Sequence, residues 1–411
     1  MPASKPVLSI CVPSRNRQPY FKQTIEALLR SDRSDVEFVF VDNSDQPQIM
    51  DDFMHARRDD PRIRYVTSGE KTRSMLENWN VAMEASTGRW VTFIGDDDYA
   101  DPDAAGVILK IEAERPGVEA IDWAKLFYTW PDGEKPASGQ IIQTLTAVHD
   151  VSHDLIKDRA YRFRQASNII VSGFSIYHGA VSRKLIDRIK ARYGGAFFEF
   201  PVVDYESIYK IIANGKGFVH CARPLSVLGV CPMSNTAGIK SLKDQEAKQA
   251  LFDKELDAPL DQMDCFKDYP FKSRFGLMAC IGMVHHWFSK RHGVAFSGFE
   301  DNFVQACMNQ CAAAASAEDF EITVARYRTA FSKWKGGKYL RQFKPVYPER
   351  PGKLPPFSGL TPDRLLVVNA DNPHCRTCED YYRFVSSALL PVGEIVADFQ
   401  FVVDEKAKKR A

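Results

Sequence analysis

The sequence has no excess of charge of either sign. Its 54 Lys and Arg against 53 Asp and Glu leave a formal net charge of +1, which removes the electrostatic case for a nucleic-acid partner. It also lacks a long hydrophobic run. The longest, Phe275 to Val284, leads into His285, His286, Trp287 and Phe288 and is too short to span a bilayer. It fits a buried helix, with an interfacial segment as the other reading. The opening M-P-A-S-K-P-V-L-S-I-C-V-P has neither the apolar core nor the cleavage site of a secretory signal, so a cytoplasmic protein is expected. Nine cysteines, odd in number and irregularly spaced, fit reduced thiols. Cys375 and Cys378 form one C-x-x-C unit without a second pair at zinc-site spacing. No G-x-G-x-x-G follows the first strand, which disfavours a nucleotide-dependent oxidoreductase. There is no internal repeat.

What is present is an alternation. The chain has 411 residues, 45% of them hydrophobic, enough for two or three domains. Apolar strands at residues 7–12 (stopped by Pro13), 36–41, 63–66 and 91–94 alternate with helical spacings at 20–30, 49–56 and 75–85. That order predicts a parallel, doubly wound sheet. Further elements are a helix over 103–118, an aromatic strand over 121–130, a polar loop or hairpin over 133–160 and a strand over 169–177. Helices over 182–193 and 205–214 follow, and Arg223 to Gly229 closes the sheet. Beyond residue 238 the pattern turns helical, at 240–256, 275–288, 299–315 and 322–334. A Pro-rich extended stretch (344–362), a short strand (365–370), a helix (378–390) and a basic tail (405–411) complete the chain.

Each early strand delivers a polar loop to one rim, where open α/β sheets bind ligands. In these loops Asp42 can accept from a base N–H or a ribose hydroxyl, and Arg15 and Arg73 can pair with phosphate. The plainer readings are a turn cap for Asp42 and surface charge for the arginines. The fourth strand ends in Gly95 and three consecutive acids, Asp96, Asp97 and Asp98. Adjacent carboxylates repel unless a cation or hydrogen-bond donors lie between them, and Mg²⁺ shared with substrate phosphates is such a cation. A solvated acidic turn is the alternative.

Taken together, P-S-R-N-R after strand one, V-D-N-S after strand two and E-N-W-N-V-A-M-E-A-S-T-G-R-W-V-T-F-I-G-D-D-D resemble glycosyltransferase family two, the inverting GT-A group. The resemblance runs over about the first 235 residues. It implies a GT-A-type, Rossmann-like, mostly parallel α/β sheet flanked by helices over residues 1–238. A mainly helical region over 239–411 would contact the acceptor, another subunit or the membrane surface. The implied activity is sugar transfer from a nucleotide-diphosphate sugar to an acceptor hydroxyl, in polysaccharide or glycoconjugate assembly. The partners would be a nucleotide-sugar donor and a glycan or glycolipid acceptor, with Mn²⁺ or Mg²⁺ as cofactor. The location would be cytoplasmic or peripheral at the inner face of the membrane, with oligomerisation left open.

Residue by residue, the resemblance assigns Pro13, Arg15, Asp42, Arg73 and Asp96 to the donor, Asp42 at the nucleobase. The triple Asp supplies the DxD element. Many members carry an acid where Gly95 stands, so either Asp97 or Asp98 is the metal ligand. P-V-V-D-Y-E is similar to the family's late acidic motif and makes Asp204 the general base, with Glu206 and Glu199 as alternatives. Asp204 is also a natural helix cap. Partial burial among Phe and Tyr would raise its pKa and improve it as a base. Ser234 and Asn235 are candidate sugar or diphosphate contacts and His220 a late metal ligand, while Trp123 or Trp130 could stack on a sugar ring. The competing function is a non-catalytic sugar-nucleotide-binding scaffold.

Overall fold

The computed structural model describes residues 5–69, 72–131, 140–164, 174–234, 241–256, 259–349, 357–363, 365–368 and 375–397. Strand β1 (Leu8–Ser14) is buried at every position, as is β2 (Val36–Asp42), because helices cover both faces of a parallel sheet. They pair in parallel with each other, and with β3 (Ile63–Val66) and β4 (Trp90–Phe93). Helices α1 (Gln18–Leu29), α2 (Gln48–His55) and α3 (Met75–Ala85) are the connections. Helix α3 carries a capping box, Ser74 and Glu77, that fixes its start.

Pro13 does not stop the first strand, contrary to expectation. It pairs with Val41, and the missing N–H costs nothing because β4 leaves that edge after Cys11, whose carbonyl accepts from Ile94 N–H.

The sheet continues through β5 (Tyr99–Ala100), β6 (Ala120–Thr129), β8 (Val148–Asp150), β9 (Gly179–Ser182) and β10 (Phe218–Val230), with β7 (Gln140–Gln143) outside it. The strand order is β3-β2-β1-β4-β9-β6-β10-β5, with β8 also paired to β10. The long pairings are parallel, ten residues in β6–β10, whereas the antiparallel ones span two or three. The expected mostly parallel α/β fold is therefore present. Of the strand expected at 169–177, residues 169–173 lie outside the described residues. The element observed there is β9, and Tyr177 makes only an isolated bridge to Phe93.

Helices α4 (Ala104–Glu114), α5 (His153–Ala160), α6 (Arg183–Arg192) and α7 (Val203–Asn214) flank this sheet. The C-terminal region adds α8 (Leu242–Asp253), α9 (Leu277–His292), α10 (Glu300–Ala312) and α11 (Ala317–Lys333). Helix α9 is the apolar run noted above, and it is core. Ile281, Met283, Val284 and Phe288 are buried in one cluster with Ile208 and Tyr209 of α7. Among the described residues no helix is long and apolar enough to cross a membrane. The basic tail 405–411 lies outside the described residues.

The chain then returns to the sheet. Strand β12 (Leu365–Val368) pairs with β7 and with β11 (Gly359–Leu360), at the end of the Pro-rich stretch. Helix α12 (Cys378–Ser386) buries Tyr381, Tyr382 and Val385 in the same core as Leu8, Trp90 and Trp123. Tyr382 Oη donates to Asp101 at 2.7 Å and Tyr128 Oη to the Cys375 carbonyl at 2.8 Å. All nine cysteines are free, and Cys375 and Cys378 are buried in this packing.

Tyr381 is fully buried. Tyr381→Ala should cost about 3–5 kcal/mol, the usual range for removing a buried ring. A lowered urea midpoint for the sheet domain, not only for the C-terminal helices, is the expected reading.

Candidate active site

Four segments converge at the carboxyl end of β4. The β1 loop turns at Asn16, whose φ of 55° lies in the left-handed region that Asn tolerates. The turn is held by Asn16 Nδ2 donating to Asp45 at 2.9 Å and by Ser44 Oγ accepting from Asn16 N–H at 3.0 Å. It directs Ser14 and Arg17 at the acids. Ser14 Oγ donates to Asp96 Oδ2 at 2.7 Å. Arg17 Nη1 lies 3.0 Å from Asp96 Oδ1 and 3.5 Å from Asp97 Oδ1.

The three acids are buried, not solvated, so the acidic-turn reading fails. Each has a different environment. Burial pushes the Asp96 carboxyl up to about 6 although Arg17 opposes the shift. Asp97 is likewise raised, by burial and then by Asp98. Its Oδ2 accepts from Cys231 N–H at 3.0 Å and from the Ser234 hydroxyl, which among the described residues leaves Oδ1 to Arg17. Asp98 is lowered: burial acts against its charge, but His178 and its other donors outweigh that. Its Oδ2 accepts from Gly95 N–H at 2.6 Å, Tyr177 Oη at 2.6 Å and His178 Nε2 at 2.9 Å, and Oδ1 accepts from Gly229 N–H at 2.6 Å.

Four donors fill Asp98, since a carboxylate has about four acceptor sites. Of the two metal candidates, Asp98 is the more fully bonded and Asp97 the less. Asp97 and Asp96 together offer one oxygen each, Oδ1 in both, to a cation that displaces Arg17. Two carboxylates plus substrate phosphates suit Mg²⁺ or Mn²⁺. Among the described residues no group of three or more His, Cys, Asp or Glu could hold a metal without such help. His220 is bonded instead to Asp122 at 2.9 Å, across β10 and β6.

The other rim residues separate in the same way. Asp42 is buried and raised by burial. Its Oδ1 is taken by Ser44, and Oδ2 meets only Ser68 Oγ at 3.4 Å. Arg73 donates to the carbonyls of Asp42 and Thr67 and to Asn78 Oδ1, and forms no ion pair among the described residues. Arg15 lies 2.9 Å from Glu255 Oε1, just beyond α8. Pro13 serves the strand. Trp123 and Trp130 are core: their indole N–H groups donate to Ser226 Oγ and to the Asp97 carbonyl, at 2.9 and 2.8 Å. Neither offers a face for sugar stacking. Asn235 lies outside the described residues.

Asp204 sits in the first turn of α7. It is not the helix cap, which is Val202. No side chain donates to its carboxylate among the described residues; Oδ1 accepts from Tyr205 N–H at 2.9 Å, and the backbone N–H of Asp204 itself also favours the charged form. Burial pushes its carboxyl up to about 6. Ser175 links it to the acid cluster: its Oγ donates to the Asp204 carbonyl at 3.3 Å and accepts from Tyr177 N–H at 3.0 Å, and the Tyr177 hydroxyl is bonded to Asp98. Glu206 and Glu199, the alternatives, are paired with the buried Lys210 at 2.7 and 2.8 Å.

Residues 9–189 match the profile of Glycosyl transferase family 2. Over that stretch the chain is similar to this family. Over 93 residues it is 29% identical to GalNAc(5)-diNAcBac-PP-undecaprenol beta-1,3-glucosyltransferase of Campylobacter jejuni, covering 23% of this chain and 30% of that protein. It is 32% identical to the uncharacterized glycosyltransferase EpsJ of Bacillus subtilis over 97 residues, 23% of this chain and 27% of that one. The matches thus span under a third of either relative. The crystal structure of S. aureus TarS 1-349 superposes with a TM-score of 0.43 at 15% identity, covering 83% of this chain and 92% of that chain. The matched stretch contains Pro13, Arg15, Asp42, Arg73 and the triple Asp, whereas Asp204, His220 and Ser234 lie beyond its end.

Sequence reasoning did not single out Ser14, Arg17, Tyr177 or His178. Arg17 had a usable signal, a second arginine in the rim loop immediately before a helix. The other three had none.

Arg17→Gln should leave Asp96 and Asp97 buried without their cation. A loss of about 3–5 kcal/mol is expected at pH 8, the usual consequence of breaking a buried pair. At pH 5 the loss should be smaller, because Asp96 then carries a proton. Urea melts at the two pH values measure the difference.

Proposed function

We propose that the protein is an inverting, metal-dependent glycosyltransferase with Asp204 as general base. One observation carries this reading. The carboxylate of Asp204 has no side-chain donor among the described residues, and its residue is joined through Ser175 to Tyr177, whose hydroxyl is bonded to Asp98. In a site where the neighbouring acids are bonded or paired, the under-bonded carboxylate with a raised pKa is the one equipped to take a proton.

The donor would lie along the rim. Asp42 Oδ2 is suited to a base or ribose donor group, and Asp96 to the ribose side. Arg73, without a carboxylate partner among the described residues, is suited to phosphate. Lys248 of α8 adds a second cation: its ammonium donates to the Ser234 carbonyl at 2.5 Å, beside Asp97. Asp97, helped by Asp96, would hold Mg²⁺ or Mn²⁺, which would neutralise the departing diphosphate. Asp204 would remove the acceptor proton as the hydroxyl attacks the anomeric carbon opposite the diphosphate. The relative from Campylobacter jejuni favours a glycan or lipid-linked acceptor in glycoconjugate assembly. Residues 1–238 would carry donor and base, and 239–411 would face the acceptor, another copy or the membrane surface.

The competing scaffold reading predicts donor binding without release of nucleoside diphosphate. Transfer predicts release, with Asp204→Asn lowering kcat by about 10²–10⁴ and Asp97→Asn instead weakening metal-dependent donor binding in calorimetry. The base must be ionised, so kcat/KM should rise with pH and level off above an apparent pKa of about 6. Stability should move the other way. A folded pKa above the ordinary 3.8 means the native state holds this proton more tightly, so stability falls as pH rises from 3.8 to about 6. Asp204→Asn should therefore melt no lower than the wild type at pH 7.5.

A further inference from the structure

A second site lies in the C-terminal region. Residues 267–275 and one face of α11 enclose an open groove of about 630 Å³, within the size range of ligand clefts. Five cationic residues line it, Lys267, Lys272, Arg274, Arg326 and Lys333, against the single acid Asp268. In a chain whose net charge is +1 this is a strong local imbalance. Lys267 pairs with the exposed Asp264, and Arg326 Nη2 with Glu246 at 2.6 Å. Lys272, Arg274 and Lys333 form no ion pair among the described residues, and Arg326 Nη1 is shielded from solvent without a hydrogen-bond partner. Three of the five cations thus border the space without an acid partner among the described residues.

The groove adjoins the proposed reaction centre. Helix α8 joins the two: Gln245 donates to the Arg274 carbonyl at 3.1 Å, Glu246 pairs with Arg326, and Lys248 bonds the Ser234 carbonyl beside Asp97.

We propose that this groove binds phosphate groups of the acceptor glycan, so that a phosphate-bearing chain lies along it and presents a hydroxyl to Asp204. The proposal rests on the transferase reading for its second half, but phosphate binding stands by itself. Planar guanidinium groups suit phosphate oxygens and lysines add charge that tolerates a repeating chain. No bond is made or broken in the groove.

The test uses the full chain and inorganic polyphosphate as probe, followed by fluorescence anisotropy, with neutral dextran as control. Polyphosphate should bind, more weakly as salt rises. Lys272→Gln with Arg274→Gln should weaken it at least tenfold, and Lys333→Gln, made separately on an exposed helix face, should weaken it several-fold. Unchanged affinity in both variants overturns the proposal. Phosphatidylglycerol vesicles that capture the chain without competition from polyphosphate overturn it in favour of a membrane surface. Nucleoside diphosphate binding by the wild type is measured alongside. Binding of nucleotide but not polyphosphate sinks only the groove, and binding of neither sinks the transferase reading as well.

Discussion

Three consecutive carboxylates buried at the end of one strand set the constraint on which the rest of this structure depends. Each ionised acid taken out of water costs several kcal/mol unless its charge and lone pairs are met. Here the partners come from distant parts of the chain. The β1 loop gives Ser14 and Arg17, the segment before β9 gives Tyr177 and His178, and the end of β10 gives Gly229, Cys231 and Ser234. Even the Asp97 carbonyl is held, by Trp130 and by Cys378 of the returning C-terminal helix. Satisfying the acids therefore locks the rim. An added Cβ at Gly229 would lie 1.7 Å from that same carbonyl, which shows how closely the strands approach there.

Bonding also divides the work among acids that look alike. Asp98 has four donors and a lowered pKa. Glu206 and Glu199 clamp Lys210 beneath the start of α7. Asp97 keeps one oxygen against a displaceable arginine, and Asp204 has no side-chain partner among the described residues. The acids left under-bonded are the ones the proposed reaction would use. A low-dielectric setting makes their charge effective at the reacting atoms.

The parallel half of the sheet was legible because strands buried on both faces are apolar throughout, and the intervening helices keep their own period. The end of β1 was not, since whether Pro13 breaks a strand depends on which neighbour stands beside it. The acids announced themselves by adjacency, but their roles depend on donors from 79 to 137 residues away, such as Arg17 and Ser234, which no local pattern links to them. Trp123 and Trp130 were ambiguous for a different reason: an aromatic suits a sugar face and a protein core equally. The return of α12 to the sheet, 281 residues from Asp101, had no signal beyond its own amphipathic spacing.

The most direct test is anomalous diffraction from crystals grown with Mn²⁺ and a nucleoside diphosphate. A manganese peak beside Asp97 Oδ1, with Arg17 displaced, the diphosphate next to it and Asp204 facing the same cleft, is the expected result. A peak on Asp98, or a nucleotide bound away from the β4 rim, would contradict it.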